Sequence, residues 1–190
     1  MARVVYYTAT SLNGFIATEE NSLEWLFEVG EPEDVGFDRF FAGIGALAMG
    51  STTYEWMLEH EDLIAHPEKW RGYYADRPGF VFTSRDLPRP EGADVTFLSG
   101  DVAAQVDRIR SAAGECDVWV VGGGDLAAQF LAAGALDEIQ VSVTPVTLSG
   151  GAPLFPADLR SDRMTLRSAE QHGQFAHLIL EVGEPARADG

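Results

Sequence analysis

Cysteine is all but missing, with Cys116 the only one in 190 residues. No disulfide can form within the chain, which excludes a stapled secreted scaffold and fits a reducing compartment. The thiol reads as a small buried hydrophobe rather than a nucleophile. Basic residues are scarce too: 13 Lys and Arg stand against 30 Asp and Glu, a net charge of −17. Nucleic acid and anionic membrane surfaces both call for a cationic face, so neither is expected as a partner. No run approaches the roughly 18 apolar residues of a membrane span. Met1–Tyr7 leads straight into strand-like residues, without a cleavage-site pattern. These absences predict a soluble, cytoplasmic protein. His60, His66, His172 and His177 lack metal-ligand spacing, and one cysteine gives zinc little to hold, so no metal is expected.

What is present is ordinary globular composition, 46% hydrophobic and 23% charged, enough for one core without staples. A single domain over residues 1–182 with a polar tail, 183–190, is expected. Val4–Ala9 and Asp117–Val121 are continuous apolar runs suited to buried strands. Further strands are read at Ala46–Met49, Gly79–Ser84, Val95–Leu98 and Glu138–Val146. Helices are read around Phe37, Phe40, Phe41 and Ile44, after Ser51 or Thr52 with Glu55 in capping-box range, after Asp101, and over Leu126–Ala133. Glu59–Pro78 looks irregular, a surface excursion whose Trp70, Tyr73 and Tyr74, like Trp56, cover the sheet mouth or a subunit contact. Met164–Ala169 and Gln174–Val182 close the chain as a hairpin, with His177 a packing or edge residue. The fold class is α/β: a mostly parallel central sheet flanked by helices, with an antiparallel C-terminal hairpin.

Three strand ends carry small or hydroxyl residues. Val121 runs into Gly122-Gly123-Gly124-Asp125 before a helix. Gly50-Ser51-Thr52-Thr53 follows another strand, and Thr83-Ser84-Arg85 a third. Helix N-termini offer unpaired N–H groups to a phosphate, and glycines let the backbone come close. The triplet does not complete G-x-G-x-x-G, and no P-loop lysine is present. Phosphate binding and tight packing therefore both account for it. The recurrence of such ends suits a long ligand with several phosphates.

In order and spacing these motifs resemble the dihydrofolate reductase superfamily. The elements that carry the likeness are Gly50-x-x-Thr53-x-Glu55, Thr83-Ser84-Arg85 and Val121-Gly122-Gly123-Gly124. Ser11-Leu12-Asn13-Gly14-Phe15-Ile16-Ala17 and Gly151-Ala152-Pro153-Leu154-Phe155-Pro156 look more like its bacterial branch, which includes the reductase domain of riboflavin biosynthesis. The resemblance implies NADPH as cofactor. It implies that the Gly50 and Ser51 junction, Thr53 and the Gly122–Gly124 turn through Asp125 and Leu126 hold the pyrophosphate. It further implies that Thr83, Ser84 and Arg85 hold the adenosine ribose and its 2′-phosphate, and that Ile16 and Ala17 line the nicotinamide. Ser51 stands where folate reductases usually carry a basic residue, so the NADPH preference rests on Arg85. A cis peptide bond between Gly122 and Gly123 is also implied, as is a homodimer.

On the substrate side the resemblance points to a carboxylate on the first helix. Asp34 and Asp38 lie near that place, and the alternative is two solvated acids. Trp25 occupies the position of a family tryptophan beside the active-site loop, with a plain core role as the alternative. No arginine matches the one that grips folate's glutamate. A single cysteine rules out the C-x-x-C of the zinc deaminase that accompanies the riboflavin reductase in its bifunctional form. The catalytic residues stay unassigned. The expected function is an NADPH-dependent reductase of a small heteroaromatic, pteridine- or pyrimidine-like substrate, related to 5-amino-6-(5-phosphoribosylamino)uracil reductase. The alternative is a nucleotide-binding or regulatory module that kept the fold without catalysis.

Overall fold

The computed structural model describes residues 1–30 and 36–184. Along the chain these form β1 (Val4–Thr10), β2 (Phe15–Ala17), α1 (Glu24–Phe27), α2 (Phe37–Ala42), β3 (Ile44–Gly50), α3 (Ser51–His60), α4 (Glu68–Tyr74), β4 (Gly79–Phe82) and β5 (Val95–Leu98). There follow α5 (Val106–Ala113), β6 (Asp117–Gly122), α6 (Gly124–Ala132), β7 (Glu138–Val143), β8 (Ala152–Pro153), β9 (Met164–His172) and β10 (Phe175–Val182). Eight strands make one sheet in the order β5-β4-β3-β6-β1-β7-β10-β9. The first six run parallel; β10 is antiparallel to β7 and β9. β2 and β8 form a separate small antiparallel pair. The expected mostly parallel sheet with its closing hairpin is the observed fold.

Strand periodicity accounts for the two cores. In β3, Ala46 and Ala48 face one side with Val118 and Val120 of β6, packed on Ile109 of α5 and Leu126 and Phe130 of α6. Leu47, Met49 and Trp119 face the other side, against Tyr54 and Leu58 of α3 and Trp70 and Tyr74 of α4. Successive strand residues point to opposite faces, and helices cover both, so the central strands read as unbroken apolar runs.

Several expectations change. Residues 59–78 are not a mere excursion: they contain α4, and Trp70 and Tyr74 are buried in the second core. A helix of only about two turns that follows His66 and Pro67 gives little periodic signal, and tertiary packing decides it. Ile44 opens β3 rather than ending a helix. Neither Ser51 nor Thr52 caps α3; Gly50 is its N-cap, without a side-chain bond. Glu55 is engaged by Arg85 instead. Cys116 is exposed, not buried. His177 is on an internal strand, because β9 and not β10 forms the sheet edge.

Candidate active site

The parallel strands β1, β3, β4 and β6 end on one side of the sheet, where open α/β sheets gather their ligands. Two adjoining cavities lie there. The larger, about 550 Å³, is walled by Tyr7, Leu26, Phe27, Trp119, Phe175 and Ser142, among others. The smaller, about 280 Å³, is lined by Ile16, Ala17, Thr52, Thr53, Trp56 and the run Gly122–Asp125, among others. Thr8 and Val121 line both, so the cavities meet between β1 and β6.

The glycine turn is built by packing as well as by access. A Cβ on Gly124 would lie 2.4 Å from the Pro153 carbonyl oxygen and 2.6 Å from that of Leu154. One on Gly122 would lie 2.7 Å from Thr53 Oγ1. Gly123 is different: its Cβ would meet nothing closer than Leu126 Cβ at 3.6 Å, but its φ is +95°. That conformation suits glycine and strains other residues. The peptide bond between Gly122 and Gly123 is trans, as are all bonds among the described residues, so the expected cis bond is not found. The turn swings through the positive φ of Gly123 instead. α6 then starts at Gly124, and helix geometry leaves its first N–H groups without intrahelical carbonyls.

The structure therefore brings Ile16, Ala17, Thr53, Gly122, Gly123, Gly124 and Asp125 to one cavity. Leu126 is buried in the core behind it. Gly50 and Ser51 start α3 without lining the cavity. Thr83, Ser84 and Arg85 follow β4, beyond the cavity wall. There Thr83 Oγ1 accepts a hydrogen bond from the Arg85 N–H at 2.9 Å. The Arg85 guanidinium is not free: its two terminal nitrogens reach Glu55 Oε1 and Oε2 at 2.8 and 2.5 Å. Glu55 stands one helical turn beyond Thr52, which lines the smaller cavity. Trp25 is buried, and its indole N–H has no hydrogen-bond partner among the described residues. It lines neither cavity. Asp38 is exposed on α2, whose Phe37 and Phe40 rings instead face Trp119 and Tyr7. Asp34 lies outside the described residues.

Residues that the sequence did not flag make up the larger cavity. Trp119 Nε1 donates to the Tyr7 carbonyl oxygen at 3.0 Å, fixing the indole on the wall. Phe27 stacks on His60 with centroids 5.5 Å apart, and His60 on Trp56 at 4.4 Å, so α1 is tied to α3 across the mouth. Burial pushes the Tyr7 phenol above its usual range, and a hydrogen bond with Ser142 acts the other way. Ser142 Oγ is also 3.1 Å from His177 Nδ1. Alternation on β1, β6 and β7 would have pointed to Tyr7, Trp119 and Ser142, but only strand order makes them neighbours.

The chain matches the RibD C-terminal domain over residues 2–178. It belongs to the RibD C-terminal domain family. The uncharacterized Bacillus subtilis protein YwjB is 31% identical over 177 residues, spanning 93% of this chain and 95% of that one. A crystal structure named for riboflavin biosynthesis, from Shewanella sp. PV-4, superposes with a TM-score of 0.76 at 24% identity, covering 97% of this chain and all of that one. Dihydrofolate reductase from Enterococcus faecalis, complexed with NADP(H), gives 0.56 at 15% identity, covering 97% of each chain. At those identities the two structures speak for the fold. Within the RibD C-terminal domain fold, no helix among the described residues is long and apolar enough to cross a membrane. No group of His, Cys, Asp and Glu among them could hold a metal ion.

Proposed function

We propose that the protein is an NADPH-dependent reductase of a small, flat, uncharged carbonyl or heteroaromatic compound. The observation that carries this reading is the meeting of two unlike cavities at Thr8 and Val121. One offers what a dinucleotide's phosphates need: hydroxyls from Thr52 and Thr53, backbone against Gly122–Gly124 and the N-terminus of α6. The other offers aromatic walls, Tyr7, Phe27, Trp119 and Phe175, that suit a planar ring. When bound, NADPH supplies a hydride donor. Ile16 and Ala17 would flank it where the cavities adjoin, and the aromatic walls would exclude water from the acceptor.

The same walls argue against a phosphorylated substrate. Among the described residues lining the larger cavity there is no Lys or Arg. A ribose phosphate would lack the cation that normally recognises it. The relation to 5-amino-6-(5-phosphoribosylamino)uracil reductase is then one of cofactor and fold, with a smaller acceptor. The reading takes the protein to be a cytoplasmic homodimer, as the family resemblance implies.

The test is direct. Tryptophan fluorescence is followed while NADPH is added, since Trp56 lines the smaller cavity. Isatin, a flat neutral heterocyclic carbonyl, and a panel of similar compounds are then added and the dihydronicotinamide absorbance is followed. Saturable quenching followed by oxidation supports the reading. Absence of quenching overturns the cofactor assignment. Quenching without oxidation of any compound leaves a nucleotide-binding module.

A further inference from the structure

A third cavity lies behind the aromatic one on the same face of the sheet, toward the N-terminal ends of β1, β3 and β6, where Val5, Ile44 and Asp117 line it. It measures about 350 Å³, and Arg3, Arg39, Asp117, Glu170, His172 and His177 are on its wall. His177 belongs to β10 and is buried, paired in register with Ser142 of β7. Its Nδ1 is 3.1 Å from Ser142 Oγ, which leaves Nε2 for the rear cavity. Ser142, in turn, lines the front cavity. On the rear side the His172 ring lies 6.0 Å from that of His177 in a T-shaped arrangement. His172 Nε2 is 3.4 Å from the carboxylate of Glu170, which is exposed to water. A line of ionisable and hydroxyl groups thus runs along one face of the sheet, from solvent at Glu170 to the wall of the aromatic cavity.

We propose that His177 feeds protons from the rear cavity to the reaction site through the Ser142 hydroxyl. This rests on the reductase reading above. Reduction of a C=O or C=N bond places a hydride from the dihydronicotinamide on carbon and requires one proton on the heteroatom. The π electron pair becomes the new O–H or N–H bond. Ser142 gives its hydroxyl proton to that heteroatom and regains one from His177 Nδ1. His177 Nε2 takes up a proton from a water in the rear cavity, and the hydroxide left behind is neutralised by bulk buffer acid. The imidazole ends neutral with its tautomer exchanged until solvent exchange restores the Nδ1–H form for the next turnover. Ser142 is the catalytic residue of this relay, and His177, acting through it, a positioning and proton-supplying residue.

The surroundings suit a neutral shuttle. Burial, and next the neighbouring His172, hold the His177 imidazole below the usual histidine range, while Glu170 pulls the other way. A neutral imidazole carries a donor and an acceptor at once, as a shuttle requires. The charged or titratable groups facing it are Arg3 ahead of β1, Tyr7 on β1, Arg39 on α2, Asp117 on β6, and Glu170 and His172 on β9. The proposal also supplies a proton source that neither Trp25 nor Asp38 offers, since neither lines the front cavity.

Two measurements test it. In the protein without cofactor, the His177 ring nitrogens are followed by nitrogen-15 NMR across pH. Glu170→Gln should lower the His177 titration, and Ser142→Ala should shift the Nδ1 resonance. An Nδ1 resonance indifferent to Ser142→Ala overturns the relay. In turnover with NADPH and isatin, Ser142→Ala and His177→Gln should each lower kcat by about 100-fold or more, the usual scale of general acid catalysis. KM and NADPH affinity should stay the same. Ser142→Thr, which restores a hydroxyl, should recover most of the rate, and this pair keeps the test alive if His177→Gln misfolds. NADPH oxidation by the unaltered protein with no loss in Ser142→Ala refutes the relay and leaves the reductase reading standing. No NADPH binding in the unaltered protein defeats both.

Discussion

Arg85 and Glu55 are locked in a two-pronged ion pair across the end of β4 and the first turns of α3, with contacts of 2.8 and 2.5 Å. Both side chains are partly exposed, so the pair contributes little to stability. Its consequence lies in what Arg85 can reach. A 2′-phosphate at Thr83-Ser84-Arg85 would compete with the Glu55 carboxylate for the guanidinium. Arg85→Ala should narrow the preference for NADPH over NADH by about tenfold, the scale of one charge-assisted hydrogen bond. Glu55→Gln should widen it. Competitive titrations of both dinucleotides check this, and equal affinities in the unaltered protein would remove the premise.

Gly123 is held at φ +95° with open space around its Cβ position. Gly123→Val would force a β-branched residue into a conformation costing about 1–3 kcal/mol, or move the turn. The expected result is a folded, less stable protein without measurable NADPH binding. Circular dichroism and the fluorescence titration read the two effects separately. Normal binding by the valine variant would dissociate this turn from the cofactor.

Asp38 is exposed on α2 and away from both cavities. Asp38→Asn should leave NADPH affinity and turnover alike. A drop in kcat beyond experimental scatter would mean that α2 approaches the substrate on binding.

Trp70 is 2% exposed in the second core, its ring 4.7 Å from that of Tyr74. Trp70→Ala should cost about 3–5 kcal/mol, as large aromatic truncations in cores do. Urea unfolding measures it. A loss within about 0.5 kcal/mol would return residues 59–78 to the surface role that their composition suggests.

High pH should unfold the protein cooperatively. Burial raises the phenol pKa of Tyr6 and Tyr74, and pushes that of Tyr54 up to about 12. The unfolded chain releases these protons from about pH 10, the folded chain later. Stability is therefore intact below pH 10 and falls as pH rises through the folded values. Melting temperature against pH, with tyrosinate absorbance alongside, checks the sign. A melting temperature flat from pH 9 to 12 would contradict these burials.

The parallel sheet was legible because its central strands are covered on both faces, which leaves uninterrupted runs such as Val118–Val121. The glycine turn was legible for a local reason: an apolar run that stops at three glycines and resumes with helical residues marks the end of a strand and the start of a helix, whatever the turn holds. The cavity-lining residues Ile16, Ala17 and Thr53 could be placed only through the resemblance. α4 was missed, because about two helical turns amid His and Pro carry no decisive period; Trp70 and Tyr74 show it only through what they pack against. The cis bond at Gly122 was expected from likeness, while the local backbone makes the turn through Gly123.

By itself the sequence determined which segments must be buried and where the backbone must bend, because periodicity and glycine act over a few residues. Tertiary structure alone decided the site's chemistry. The order β6-β1-β7-β10 sets Trp119, Tyr7, Ser142 and His177 on adjacent strands although up to 170 residues separate them in the chain. Strand order is a long-range choice, and residues that meet only across it leave no mark in local pattern. The same holds for Arg85, whose partner Glu55 lies 30 residues back and decides whether that charge is available to a phosphate.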